Sequence, residues 1–333
     1  MIVLSANTAD SLWRQATDLL LSSEARQQDG RNGSTREVMR VTFELSDPKQ
    51  RWITSRFPVI NPAFAIAEVT WIINGRNDSA FLNYWNNQLP YFAGDGHIYH
   101  GAYGYRLRAH FDVDQLVRAA DALKVDSNCR QVVLQIWDVN SDLPIKKAIP
   151  RDMDIPCNVM SVLKVRDGRL DWLQLSRSND IFRGIPYNFI QFTYLQEILA
   201  GWIGIPVGVY THISDSLHIY EHDLQKIRTT TEGSLLTNDD AFNLSKAKSS
   251  ILWKDLATRA DQFSTEQLSK EEHIARSQMV RGPKSFQNIL CLLGAESARR
   301  RGWGTVSHEL MNNCESMLVK HLWEAWYHRV TAC

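Results

Sequence analysis

Arg177-Ser178-Asn179-Asp180-Ile181-Phe182-Arg183-Gly184-Ile185-Pro186-Tyr187-Asn188 is the stretch from which the rest of the chain can be read. It sets an arginine suited to a phosphate, a carboxylate, a turn marked by Gly184 and Pro186, and an amide within twelve residues. Downstream, Phe189, Phe192, Leu195, Leu199 and Trp202 recur at about 3.5 residues, which predicts a helix with one apolar stripe. Upstream, Val159–Val165 and Leu170–Ser176 read as strands, and Asp167-Gly168 between them is a hairpin signal. The dipeptide Pro156-Cys157 stands just before the first of these strands. Together the pieces describe a covalent nucleophile beside a site able to hold an anion and read a planar base.

Further from that centre the same patterns give a mixed architecture. Residues 8–28 predict a helix with a polar face, residues 29–33 a turn, Glu37–Leu45 a strand and Gln131–Asp138 another. Val207–Ile213 predicts a strand, with Ser214-Asp215 expected to cap a helix carrying His218, Tyr220 and His222. Phe64–Ile73 is an almost wholly apolar helix stopped by Asn74-Gly75. Glu68 interrupts it. A carboxylate between apolar flanks needs a partner or a task, and here the task is the preferred reading. Arg106 and Arg108 are expected on a solvated face. Residues 240–333 read as almost entirely helical. The expected class is α+β, a mixed sheet with packed helices, with a catalytic core over 1–233 and a helical C-terminal extension over 234–333.

Composition narrows the function classes. Of 333 residues, 44% are apolar, enough for a substantial core, and Lys plus Arg equals Asp plus Glu at 37 each. That balance argues against a broad nucleic-acid footprint, which depends on neutralising many phosphates. Arg299-Arg300-Arg301 is read as a solvated helix end. The cysteines Cys129, Cys157, Cys291, Cys314 and Cys333 form no C-x-x-C pair and no zinc spacing, so a reducing compartment is expected. Met1–Ser5 lacks the basic start of a signal peptide, and no apolar run approaches the roughly 18 residues a membrane helix needs. A cytoplasmic protein without a membrane or nucleic-acid partner is the expectation.

A lone cysteine is usually a small buried hydrophobe, and a thiolate needs a positive neighbour to form. What lifts Cys157 is order: Asp154-Ile155-Pro156-Cys157-Asn158, then the opening stretch through Asn188, then Asp215-Ser216-Leu217-His218-Ile219-Tyr220. This series resembles the thymidylate synthase family. The likeness extends upstream through Asn128-Cys129-Arg130 and Gly101-Ala102-Tyr103-Gly104-Tyr105-Arg106 to the Glu68 helix and the Arg31 turn, covering roughly residues 10 to 228. The resemblance implies that Cys157 adds to C6 of a pyrimidine nucleoside monophosphate, so that C5 attacks a one-carbon unit from 5,10-methylenetetrahydrofolate. It implies that Arg177, Ser178 and Arg31 grip the 5′-phosphate, with Arg130 supplied by the partner subunit of a homodimer. His218 and Tyr220 would hold the sugar hydroxyl, and Asp180, with Gly184 beside it, the folate. Glu68 and Tyr103 would support proton transfer. Asn188 would read the base edge. Uracil offers a donor beside an acceptor, which a fixed amide matches, whereas cytosine reverses both. The related deoxycytidylate hydroxymethylases carry an Asp there, so Asn188 tilts the reading toward uracil.

Three features depart from the family pattern. Arg130-Gln131 stands where two arginines are usual. The Trp expected near the pterin falls in Gln88-Leu89-Pro90-Tyr91-Phe92, with Trp85 nearby, and Tyr327–Cys333 does not resemble the family's apolar tail. Closure that excludes water favours hydride reduction to a methyl group; an altered lid admits water and a hydroxymethyl product. Both products stay open at the level of sequence. So does a nucleotide-binding regulator that has lost turnover. A Cys-His hydrolase lacks any supporting motif.

Overall fold

The computed structural model describes residues 1–30, 33–145, 150–279 and 282–332. The chain opens with β1 (Ile2–Ala6), α1 (Ala9–Leu21), β2 (Arg26–Gly30) and β3 (Gly33–Leu45). Then come α2 (Pro62–Ile73), α3 (Ser79–Trp85), α4 (Leu89–Ala93), α5 (Tyr103–Tyr105) with a π-helical turn, α6 (Gln115–Val125), β4 (Val133–Gln135) and α7 (Val139–Asp142). The central part is β5 (Asn158–Arg166), β6 (Arg169–Ser176), β7 (Asn179–Asp180), α8 (Ile185–Ile203) and β8 (Val207–Tyr220). Helices α9 (Leu224–Arg228), α10 (Lys246–Thr265), α11 (Lys270–Arg276), α12 (Lys284–Arg300), α13 (Gly304–Asn312) and α14 (Met317–Thr331) complete it.

The strands form one mixed sheet in the order β1-β3-β8-β6-β5-β4, with β2 added to β3 and β7 to β8. β8 runs antiparallel to β3 and parallel to β6 and β7. Helix α8 packs on the sheet, α2 packs on α8, and α10, α12 and α14 pack on α2. The expected mixed class and helical C-terminal part are therefore present. α2 begins where the Asn61 side chain accepts from Phe64 N (3.0 Å) with Pro62 in its first turn, and stops before Gly75 at φ +69°.

Several boundaries differ from expectation. The helix expected over 8–28 ends at Leu21, and the strand expected over Gln131–Asp138 contracts to Val133–Gln135. No helix starts at Ser214-Asp215. β8 continues to Tyr220, because its second half is paired on one side with β3 and on the other with β7. Ladder pairing on both edges outweighs a local capping signal. Arg106 is likewise not solvated: it is 1% exposed and grips Asp142 through two bonds of 2.7 and 2.9 Å. Arg108 keeps partial contact with water beside Asp114. Arg299 and Arg300 turn back onto the buried Glu296, so that helix end is only partly solvated.

Candidate active site

Cys157 stands immediately before β5 and is half-buried. Its carbonyl accepts from Arg177 N (2.9 Å) and from Ser176 Oγ (3.1 Å), which fixes the start of β5 to the end of β6. The Arg177 guanidinium donates to Pro156 O (3.0 Å) and Ile155 O (3.2 Å), the two carbonyls preceding the cysteine. A cation is thus fastened to the loop that delivers the thiol. It uses two of five N–H donors and leaves the others for an anion.

Beyond Arg177, Ser178 Oγ lies 3.5 Å from His218 Nδ1. β7 sets Asp180 in register with His218 on β8, and the His218 and Tyr220 rings meet edge to face at 5.6 Å. His212 and Ser214 are buried on one face of β8; the alternation breaks at Asp215-Ser216, after which Leu217 and Ile219 turn inward while His218 and Tyr220 stay half-buried. Asp180 Oδ1 accepts from Phe182 N (2.7 Å) and Arg183 N (2.9 Å), and among the described residues no protein donor reaches Oδ2. Gly184 follows because nothing larger fits: a Cβ there would lie 2.4 Å from Asn179 Oδ1.

Helix α2 contributes Glu68, the only residue of that helix not fully buried, on the side facing α8. Its Oε2 is shielded from solvent and meets no donor. Burial pushes the Glu68 carboxyl up to about 7, against a weaker opposing pull from the Gln191 amide of α8, so it can take or give a proton near neutral pH. Gly104 lets α5 lie directly on α2, since a Cβ would fall 2.3 Å from Ile72 O. This close approach sets Tyr103 among Cys157, Asp154 and Glu68; burial first, then the cysteine, drives its phenol well above the usual range.

Asn188, in the first turns of α8, is 6% exposed. Its Oδ1 accepts from Asn179 Nδ2 (3.0 Å) and its Nδ2 donates to Gln191 Oε1 (2.9 Å). Four polar residues of this site carried no assigned role in the sequence reading. Asn158 directly follows the cysteine and buries an Nδ2 that meets no partner; adjacency could have found it. Gln191 lies one helical turn beyond Asn188, also a readable signal. Asn179 and His212 meet only through sheet register, which no local pattern reveals.

Arg31 lies outside the described residues. Arg130 is exposed beside β4, and no hydrogen bond or ion pair ties its side chain to Cys157, Arg177 or Asn188. Trp85 is fully buried and its carbonyl accepts from Arg300, so it belongs to the side of the fold under the C-terminal helices. On α4, Tyr91 is instead 76% exposed, and the Arg183 guanidinium lies 5.2 Å over the Phe92 ring.

A family model described as thymidylate synthase matches residues 13–278. The chain belongs to the thymidylate synthase family. It is 35% identical over 210 residues to a deoxyuridylate hydroxymethyltransferase of Pseudomonas phage M6, covering 62% of this chain and 58% of that one. A protein of the same name from Bacillus phage SP01 is 35% identical over 56% of this chain and 51% of its own. A putative thymidylate synthase of Methanothermobacter marburgensis is 30% identical over 65% of this chain and 92% of its own. The chain thus spans little more than half the length of the phage relatives. Among the described residues no helix is long and apolar enough to cross a membrane. The match to the thymidylate synthase model runs past residue 233 into α10 and α11.

Proposed function

We propose that this protein transfers a one-carbon unit to C5 of deoxyuridylate, forming 5-hydroxymethyldeoxyuridylate. The observation that carries the reading is the thiol-bearing loop of Cys157 clamped by the Arg177 cation, with the buried Tyr103 phenol near both Cys157 and Glu68. The Cys157 thiolate adds to C6, electron density moves to C5 and O4, and C5 forms the new carbon–carbon bond. The C5 proton then leaves as the transferred carbon's bond to the donor nitrogen breaks, water adds to the exocyclic methylene that results, and elimination of the thiolate restores the ring. Glu68, poised near neutrality, exchanges protons with water at O4. Arg177 and Ser178 hold the 5′-phosphate with Arg31, and Arg130 joins them from the second subunit of a homodimer. His218 and Tyr220 hold the sugar hydroxyl.

The open Asp180 Oδ2 beside the Gly184 turn fits the N–H groups of a pterin, so Asp180 and Gly184 are assigned to 5,10-methylenetetrahydrofolate. When bound, that compound supplies the carbon at the oxidation level of formaldehyde. Water completes the product, giving hydroxymethyldeoxyuridylate and tetrahydrofolate. Two observations favour water over hydride: Trp85 lies in the core instead of at the edge where the family shields the pterin, and Tyr91 is open to solvent. Likeness to the phage hydroxymethyltransferases points the same way. Methylation is the second reading, favoured by the likeness to thymidylate synthases. Mass spectrometry of the product decides, because the two differ by one oxygen; a methylated product from deoxyuridylate overturns the hydroxymethyl assignment.

A further inference from the structure

Beneath the proposed base site, five polar side chains from α8, β7 and β8 form one buried row. His212 is 0% exposed and walled by the Phe43 and Phe189 rings at 6.1 and 5.9 Å. Its Nε2 lies 3.0 Å from Asn179 Nδ2 and its Nδ1 lies 3.0 Å from Tyr210 Oη. Asn179 Nδ2 also donates to Asn188 Oδ1 (3.0 Å), and Asn188 Nδ2 donates to Gln191 Oε1 (2.9 Å).

We propose that Asn179, backed by His212, and Gln191 fix which end of the Asn188 amide acts as acceptor, and that this buried row makes the site select uracil over cytosine. The proposal rests on reading Asn188 as the contact to the base edge. Complete burial keeps the His212 imidazole neutral, with one nitrogen free to accept. In the tautomer whose Nδ1–H donates to Tyr210 Oη, Nε2 accepts one N–H of Asn179, and the other N–H of Asn179 goes to Asn188. Asn188 therefore must offer its oxygen to Asn179 and its N–H to Gln191. One lone pair and one N–H of Asn188 remain. That pair complements N3–H and O4 of uracil.

Cytosine presents the reverse pattern and would require Asn188 to turn over. Turning it alone sets N–H against N–H at Asn179 and oxygen against oxygen at Gln191. Two buried hydrogen bonds become two repulsive contacts, and desolvated mismatches of this kind are costly. Reversal is self-consistent only for the whole row. Asn179 would then accept from an imidazole N–H, and Gln191 would turn its own N–H toward Asn188.

The test is the ratio of kcat/KM for deoxyuridylate over deoxycytidylate, measured with the folate for the full chain and variants. The wild type is expected to favour deoxyuridylate by about 100-fold or more. N179D places an acceptor-only carboxylate against Asn188 and draws its N–H, so the ratio is expected to fall by about 100-fold. N179L, which removes the donor but keeps much of the volume, is expected to lower the ratio by about 10-fold, as is H212F. A purely structural role would lower both kcat/KM values together and leave the ratio unmoved. N188D is the control for the underlying reading. If N188D shifts the ratio while N179D and N179L keep the wild-type value, the buried row does not set selectivity and the proposal is overturned. If N188D leaves it unmoved as well, the base-edge reading itself is wrong. Should N179D fail to fold, N179L decides, with calorimetric dissociation constants for the two nucleotides judged by the same ratio.

Discussion

On the side of α2 that faces α8 stands Glu68, with no paired cation among the described residues and an oxygen that meets no donor. On the side toward the C-terminal helices the buried carboxylates are built differently. Glu296 of α12 is 0% exposed and accepts from Arg299, Arg300 and Trp326, and Glu197 of α8 pairs with Arg51 and Phe242 N. Around them Phe242, Trp253 and Phe286 pack ring to ring at 5.1 to 5.8 Å. A buried carboxylate with a cation is part of the scaffold; one without a cation stores an unusual proton affinity. The contrast separates the working side of α2 from its supporting side.

Four substitutions sharpen or break that contrast. Cys157→Ala should abolish turnover by about 10⁴-fold or more while leaving the thermal midpoint nearly unchanged, since the half-buried thiol holds little of the core. Turnover close to wild type would remove the covalent step. Glu68→Gln should lower kcat by about 10²- to 10⁴-fold. It should also flatten the dependence of stability on pH. The Glu68 carboxyl sits at about 7 in the fold against 4.5 ordinarily, so its contribution is full below about pH 4.5 and is lost as pH rises through 7. That loss amounts to about 3 kcal/mol, and denaturant titrations at pH 5 and pH 8 should show the wild type weakened more than the variant at the higher pH.

On the supporting side, Glu197→Ala strands the fully buried Arg51 and should cost about 3–5 kcal/mol in denaturant unfolding, with the identity of the product unchanged. A changed product would show that the two sides are not separable. Lys284→Ala removes an ion pair whose side chains are 79% and 61% exposed, and should cost under about 1 kcal/mol.

Much of this molecule was legible from local pattern. The β5–β6 hairpin, the apolar stripe of α8 and the helical character beyond residue 240 each follow from periodicity and turn chemistry. β8 was misread after Ile213, because Ser-Asp signals a helix cap locally whereas the neighbouring strands on both edges determine the outcome. Arg106 was misplaced for a related reason. Its burial depends on Asp142, 36 positions away, which the sequence does not mark as a partner. In the site, linear neighbours such as Asn158 and Gln191 were within reach of reading. The contact of Asn179 with His212 spans 33 positions and exists only through sheet register.

The central claim is that Cys157 bonds to the pyrimidine ring and thereby releases the hydrogen at C5. Incubating the protein with 5-tritiated deoxyuridylate and 5,10-methylenetetrahydrofolate tests it most directly. Tritium should appear in water with the wild type and not with Cys157→Ala. Retention of the label by the wild type, with deoxyuridylate and with the corresponding cytidylate alike, would contradict the account.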